Sequence, residues 1–404
     1  MSTPPPPRWL APRAPAPAGG VNDYNYSRKR RKPMDKLKSL QIFRGIAAIA
    51  VLLFHASNLI YVKEKYDFFH SVLGFGYLGV DFFFVLSGFI IYYIHVQDIG
   101  RSNKIRPYLL KRFIRLYPIF WVVMIPILFV VIFFPIFDFG GVDKSPPGII
   151  SAIFLLPQST SPLLIVSWTM KHEVLFYILF SLMIILPQGV GRSVFVVWVI
   201  SIFLILLCQN MAGIFALNTG ERNAVLALIL NPLNLEFVIG VIAAFSIIKF
   251  SKYLTRHGWR IAVVAVLLTI LCFYLYINYM NESSNLRAII IGVPFALVIV
   301  SSVSLEMKMG LFSGTITKGF VLLGDSSYSI YLVHYPVLSL IYKVLSQTKL
   351  FSLFSSLASM ICLIIVSLLI GVLMHLYIER PLLRKLRILL LKRRGLASIP
   401  PSNI

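Results

Sequence analysis

The sequence predicts an all-α polytopic integral membrane protein of about ten transmembrane helices, with both termini cytoplasmic. Three observations carry that expectation. Only 13% of the 404 residues are charged and 58% are hydrophobic, whereas soluble domains are about a quarter charged and about half apolar. Stretches such as 40–61 and 194–214 approach the ~20 apolar residues that cross a bilayer. The cations, 38 Lys and Arg against 15 Asp and Glu, collect on alternate loops. A cytosolic enzyme, a secreted disulfide scaffold and a disordered chain are excluded. The net charge of +23 needs no nucleic acid to explain it once those cations orient helices in a membrane.

The expected spans are 40–61, 74–96, 116–137, 167–187, 194–214, 225–248, 260–280, 288–304, 326–346 and 352–378. The eighth is short and reads as a tilted or broken element. Segment 148–157 is apolar but only half a span, so it reads as interfacial or re-entrant. Orientation follows from where Lys and Arg accumulate. One side receives Arg28, Lys29, Arg30, Arg31, Lys32, Lys36 and Lys38, then Arg101 to Arg115 before the third span, Lys249 to Arg260 after the sixth, and Arg380 to Arg394 at the end. The other side holds Lys63, Lys65, Lys144, Arg222, Arg287, Lys343 and Lys349, mixed with Asp67, Asp138, Asp143, Glu221 and Glu282. The first side is therefore cytoplasmic, and the number of spans even.

Three regions result: a Pro/Ala-rich and basic cytoplasmic tail at 1–36, a membrane domain at 37–381, and a basic cytoplasmic tail at 382–404. The first twenty residues lack an apolar run and read as disordered, not as a signal peptide. Met34 follows the basic run as an alternative start. Cys208, Cys272 and Cys362 fall inside spans without paired spacing and read as small core residues. No internal repeat is evident.

An ionisable side chain in the hydrocarbon core is costly, so each marks a candidate site. These are Arg44 and His55 in the first span, Asp81 in the second, His172 and Glu173 in the fourth, and Glu236 in the sixth. Asp325 and His334 frame the ninth span, and His375 and Glu379 end the tenth. Arg44 and His55 project from nearly the same helix face, ~16 Å apart along the axis. Each alone has an ordinary reading, a snorkelling arginine and a hydrogen-bonded core histidine. Together they suggest an anion anchored at the inner surface and a titratable base at depth. Asp81 needs a partner such as Arg or His, while Gly76, Gly79, Ser87 and Gly88 around it permit close helix approach. Arg112 and Arg115 share one face of a basic amphipathic segment entering the third span. They fit lipid-headgroup contact or a phosphate clamp. Glu173 can approach His55 from a facing helix. Asp325 reads as an N-cap, and Ser327, Tyr328, Tyr331 and His334 form a polar stripe suited to lining a cavity.

These residues resemble the acyltransferase type 3 family of integral-membrane O-acyltransferases, close to its exopolysaccharide-modifying branch. The likeness runs from about Leu40 to Pro381. It rests on Arg44 with His55 eleven residues on, on Gly79-Val80-Asp81-Phe82-Phe83-Phe84-Val85-Leu86-Ser87-Gly88-Phe89, and on Arg112-Phe113-Ile114-Arg115-Leu116-Tyr117-Pro118. Ser167-Trp168-Thr169 with Glu173, Asn234-Leu235-Glu236-Phe237, Gly324-Asp325-Ser326-Ser327-Tyr328-Ser329-Ile330-Tyr331 with His334, and Glu379-Arg380-Pro381 complete it.

The resemblance implies transfer of an acyl group, commonly acetyl, from cytoplasmic acyl-CoA to a hydroxyl of a cell-surface or exported carbohydrate. It implies a multi-pass protein of the bacterial inner membrane. The donor is a substrate, with no bound cofactor and no metal expected. Arg44, Arg112 and Arg115 would bind the coenzyme phosphates, with His55 as base or acyl relay and Glu173 orienting it. Asp81, Glu236, Tyr328, Tyr331 and His334 would line or support the cavity. Expected partners are acyl-CoA, a carbohydrate or lipid-linked sugar and membrane lipids. Homo-oligomerisation is left open. No Gly-x-Ser-x-Gly elbow or metal-spaced His/Cys set is present. The family's Arg-rich stretch reads Lys111-Arg112 here, and the basic end soon after the tenth span places acceptor recognition in this domain or a partner. The rival reading is a transporter or flippase for a lipid-linked sugar with a buried proton relay.

Overall fold

In the computed structural model the described residues are 37–64, 73–133, 143–211, 223–279, 286–309, 314–347 and 356–391. The expected tail at 1–36 with Met34, the end of the C-terminal tail from Lys392 on, and the loop charges Lys65, Asp67, Asp138, Glu221, Arg222, Glu282 and Lys349 lie outside them. Among the described residues nine helices are long and apolar enough to cross a membrane.

Helix α1 (Lys38–Glu64) has no acidic residue in its own first turn. Glu306 supplies one from a distant helix, accepting from the Lys38 and Ser39 backbone N–H groups at 3.0 Å each and from Ser39 Oγ at 2.6 Å. A carboxylate on those free N–H groups also complements the helix dipole. After a 3₁₀ turn at Gly74–Leu78 comes α2 (Gly79–His95), buried along most of its length. Helix α3 (Ile105–Phe133) starts eleven residues before the expected third span, because the basic segment continues the helix through Pro118. The short α4 (Pro146–Phe154) occupies the half-span. Ser145 caps it by accepting from Gly148 N–H, and Leu155 ends it with a positive φ of 56°. Trp121 and Tyr117 of α3 donate to its Ile153 and Phe154 carbonyls.

Helices α5 (Ser167–Ile185), α6 (Gln188–Met211) and α7 (Ala224–Ile229) lead into α8 (Asn234–Tyr279). A straight helix would hold Ile239 and Cys272 about 50 Å apart. Yet Ile239 meets Gly292, Cys272 donates to the Ile290 carbonyl, and Gly258 meets Leu305, all on α9 (Arg287–Met309). The first half of α8 therefore runs parallel to α9 and the second half antiparallel. The chain doubles back at Phe250, the one non-helical residue (φ −113°, ψ 24°), so α8 carries both the sixth and the seventh expected spans.

The eighth span is an unbroken 23-residue helix, α9, which retains Pro294 in its interior. It extends past the expected end because Glu306 is buried against α1 instead of facing water. Between the eighth and ninth spans lies an amphipathic helix that hydropathy alone did not reveal, α10 (Thr315–Asp325). Asp325 closes α10 and does not cap the next helix, α11 (Ser327–Gln347). Helix α12 (Ser356–Met374) runs through a π-helical turn, His375–Glu379, into the amphipathic α13 (Arg380–Leu391).

Large apolar side chains stand exposed along α6 (Val197, Ile200, Leu204) and along the second half of α8 (Val263, Leu267, Ile270). Such stripes suit lipid better than water. Cys208 and Cys362 are also exposed, so of the three cysteines only Cys272 is a core residue.

Helices α2 and α8 meet backbone to backbone. A Cβ added at Gly88 would fall on the Phe237 carbonyl oxygen, and one at Gly240 on that of Val85. Backbone cannot yield as a flexible side chain can. Gly88→Leu or Gly240→Leu should therefore cost at least about 1–3 kcal/mol, read as a lower unfolding midpoint in detergent. Gly319→Ala, where an added Cβ meets nothing within 4 Å, should leave that midpoint unchanged.

Candidate active site

Five helices enclose a cavity of about 110 Å³, room for several waters or a thin chain. Arg44 enters from α1, Ser87 and Phe83 from α2, Arg112 and Arg115 from α3, Thr169, Glu173 and Tyr177 from α5, and Ser327, Tyr328 and Tyr331 from α11. Three arginines thus come from two sequence segments nearly seventy positions apart, on helices that are neighbours only in the fold.

Each cation has its own support. Arg44 donates through Nη1 to Gln41 Oε1 at 3.0 Å, one turn earlier on α1. Arg112 is buried, donates through Nη2 to His95 Nε2 at 3.0 Å and lies 5.6 Å from the ring centres of both Tyr108 and Tyr177. Arg115 lies 5.9 Å over the Tyr328 ring, and the Tyr328 hydroxyl donates to the Leu116 carbonyl at 2.6 Å. Cation–ring contacts of this kind hold a guanidinium without neutralising it. Asp325 and Glu379 supply counter-charge near Arg44 and Arg115. Burial raises the Asp325 carboxyl above its ordinary range, against the opposing pull of Arg44. Glu379 is buried and accepts from His375 Nδ1 at 2.8 Å and Ser329 Oγ at 2.7 Å. The π turn that carries it is thereby tied to α11.

Of the two expected catalytic residues, Glu173 lines the cavity and accepts a hydrogen bond from the Tyr177 hydroxyl. His55 does not line it. Its ring lies 5.2 Å from His334 and 5.2 Å from Tyr335, so among the described residues its ring contacts beyond α1 itself are on α11, and Glu173 is not among them. His334 directs Nδ1 to the Ile330 carbonyl at 3.1 Å, which fixes its tautomer and leaves the buried Nε2 without a hydrogen-bond partner among the described residues. Tyr331 links the two compartments. It lines the cavity, its ring is 5.8 Å from that of His334, and its hydroxyl hydrogen-bonds Thr169 Oγ1 at 2.8 Å.

Asp81 and Glu236 stand outside this cavity in a buried charge cluster. Arg287 donates to both Asp81 oxygens, at 3.0 and 2.6 Å, and lies 4.3 Å over the Tyr77 ring. Glu236 is buried beside them, within electrostatic reach of both charges. Arg287 had looked like a loop cation because it precedes the eighth apolar run. Asp81, which needs a partner such as Arg or His, was the signal in the sequence for a buried cation. His172 is also structural in its contacts, joining Asn234 Oδ1 at 2.8 Å, while Asn234 Nδ2 donates to the Leu228 carbonyl.

The model of an acyltransferase domain family matches residues 37–376. The chain belongs to this acyltransferase family. Among similar proteins, the exopolysaccharide production protein ExoZ of Rhizobium meliloti is 27% identical over 353 residues, which cover 83% of the chain and 95% of ExoZ. The peptidoglycan O-acetyltransferase OatA of Listeria monocytogenes is 25% identical over 80% of the chain and 52% of its own length. An O-acetyltransferase OatA of Staphylococcus aureus is 25% identical over 75% of the chain and 50% of its own. The acyltransferase thus spans about half the length of the OatA proteins. No solved structure matches it. The protein is a multi-pass membrane acyltransferase, and the family sets aside the transporter reading.

Proposed function

We propose that this acyltransferase moves an acyl group, acetyl foremost, from cytoplasmic acyl-CoA to a hydroxyl of a cell-surface or exported carbohydrate, in the bacterial plasma membrane. The observation that carries the reading is the convergence of Arg44, Arg112 and Arg115 on one cavity that ends at Tyr331, beside the His334–His55 pair. Coenzyme A carries several phosphate charges on one end and a thioester on the other. Arginine suits the first by planar, charge-assisted hydrogen bonding. The names of ExoZ and OatA point to polysaccharide acceptors and O-acetylation.

The phosphates are held at the arginine end, which faces the cytoplasm together with both termini. The pantetheine arm threads toward α11, and the acyl group reaches His55 when Tyr331 and Thr169 part. His55 takes the proton from the acceptor hydroxyl as its oxygen attacks the thioester carbonyl. The C–S bond then breaks, the thiolate leaves with the coenzyme and picks up a proton, and the acyl group remains as an ester. His334 Nε2 is placed to receive or return the His55 proton. Glu173 keeps compensating negative charge in a cavity otherwise crowded with cations.

Membranes containing the protein, supplied with radiolabelled acetyl-CoA, should place alkali-labile label in carbohydrate. Labelling from another donor and not from the coenzyme would contradict the reading. Arg44→Ala, Arg112→Ala and Arg115→Ala should each raise KM for the donor about tenfold or more, the worth of a charged hydrogen bond, with little change in kcat. An unchanged KM would make them lipid contacts. A reporter fused after Arg394 should be cytoplasmic, and an extracytoplasmic signal would reverse the orientation.

A further inference from the structure

The end of α2 and the turn after it carry a polar chain that donor binding by three arginines does not explain. His95 is buried at the last position of α2, and Asp98 follows in a 3₁₀ turn. His95 Nδ1 lies 2.8 Å from Asp98 Oδ2, and His95 Nε2 lies 3.0 Å from Arg112 Nη2. A guanidinium only donates. His95 Nε2 must therefore accept, which leaves the ring proton on Nδ1, where Asp98 accepts it. Asp98 thus sets the tautomer and His95 sets the guanidinium, as an outer hydrogen bond fixes a metal-ligating histidine. The Tyr108 ring meets His95 edge-on at 5.0 Å, and the Tyr108 hydroxyl donates to the Tyr177 carbonyl at 3.3 Å. With Tyr108 and Tyr177 both against its guanidinium, Arg112 is confined on three sides. Its buried Nε has no hydrogen-bond partner among the described residues. An unmatched donor on a residue lining a cavity points to an acceptor that arrives with a ligand.

We propose that His95, oriented by Asp98, is a positioning residue for Arg112, holding its guanidinium at the cavity wall so that the free Nε–H meets a phosphate oxygen of the acyl donor. The inference rests on the donor-site reading above and extends it to residues that do not touch the donor. Neutral histidine suits the role. It fixes the guanidinium by accepting a hydrogen bond and cancels none of the charge that the phosphate needs, whereas a carboxylate there would pair with Arg112 and compete with the ligand.

The test is the dependence of acyl transfer on acetyl-CoA concentration, using full-length protein in membranes at matched amounts. His95→Asn can still donate to Asp98 from the position of Nδ1 but offers nothing to Arg112. His95→Gln reaches the position of Nε2 with an accepting oxygen. His95→Asn should raise KM for acetyl-CoA about tenfold, with kcat near wild type, and His95→Gln should restore most of the loss. A role confined to bonding Asp98 gives the opposite order, with Asn the better substitute, and overturns the proposal. Asp98→Ala, at a half-buried position, gives a second measurement with little packing defect and should raise KM by a smaller factor. An unchanged KM in both Asp98→Ala and His95→Asn overturns the proposal as well. Combined with Arg112→Ala, His95→Asn should add no further rise, because the residue it positions is gone. An Arg112→Ala protein with unchanged KM would instead refute the donor-site reading itself.

Discussion

His55→Ala is expected to reduce acyl transfer by roughly 10²- to 10⁴-fold, the usual contribution of a positioned general base, while KM for the donor stays near wild type. The expectation follows from where the residue sits. His55 is on α1 eleven positions beyond Arg44, but its ring faces His334 and Tyr335 instead of the arginine cavity. Its loss removes a proton acceptor without touching the cations that hold the coenzyme. A neighbouring base offers some relief, since His334 Nε2 has no hydrogen-bond partner among the described residues and the two rings are 5.2 Å apart. The double variant His55→Ala with His334→Ala should accordingly fall below His55→Ala alone. Wild-type transfer by His55→Ala would sink the assignment of the base.

The second large effect is on stability. Asp81 and Arg287 form a two-point ion pair buried between α2 and α9, with Glu236 alongside from α8. Removing one partner leaves the other charge uncompensated where water cannot reach it, a loss of about 3–5 kcal/mol. Asp81→Leu or Arg287→Met should therefore lower the unfolding midpoint in detergent sharply, and much of either protein should fail to accumulate in membranes. The double replacement removes both charges at once and should be the more stable of the three variants. Singles as stable as wild type would mean that the pair bears little of the packing of α2 on α8 and α9.

Ten apolar runs made the helical membrane architecture legible in the sequence, since such runs depend on composition over whole segments. What the sequence concealed depended on which partner each polar group finds. Arg287 looked like a loop charge yet pairs with Asp81, and Glu306, just past the expected end of the eighth span, caps α1. The end of a hydrophobic run is a poor guide where a buried partner waits beyond it. Helix α10 was hidden because its apolar residues line only one face, and α3 looked shorter than it is because Arg112 is charged but buried.

Arg44, Arg112, Arg115, Glu173, Tyr328 and Tyr331 stood out as polar groups in apolar segments, and they share one cavity. His55 stood out for the same reason and lies one ring away from it, behind Tyr331 and His334. That separation is a tertiary fact, as is the Tyr331–Thr169 hydrogen bond, which joins residues 162 positions apart in sequence. His95 drew no notice because a histidine closing a helix is ordinary until its contact with Arg112 is known.

Donor selectivity tests the central claim most directly, that the arginine-lined cavity recognises the phosphates of an acyl-coenzyme. Acetyl-CoA and S-acetylpantetheine carry the same thioester, but only the first carries the nucleotide phosphates. The wild-type protein should use acetyl-CoA at a far lower KM, and the double variant Arg112→Ala with Arg115→Ala should lose most of that preference while still accepting S-acetylpantetheine as well as wild type does. A double variant that keeps the full wild-type preference for acetyl-CoA would contradict the claim.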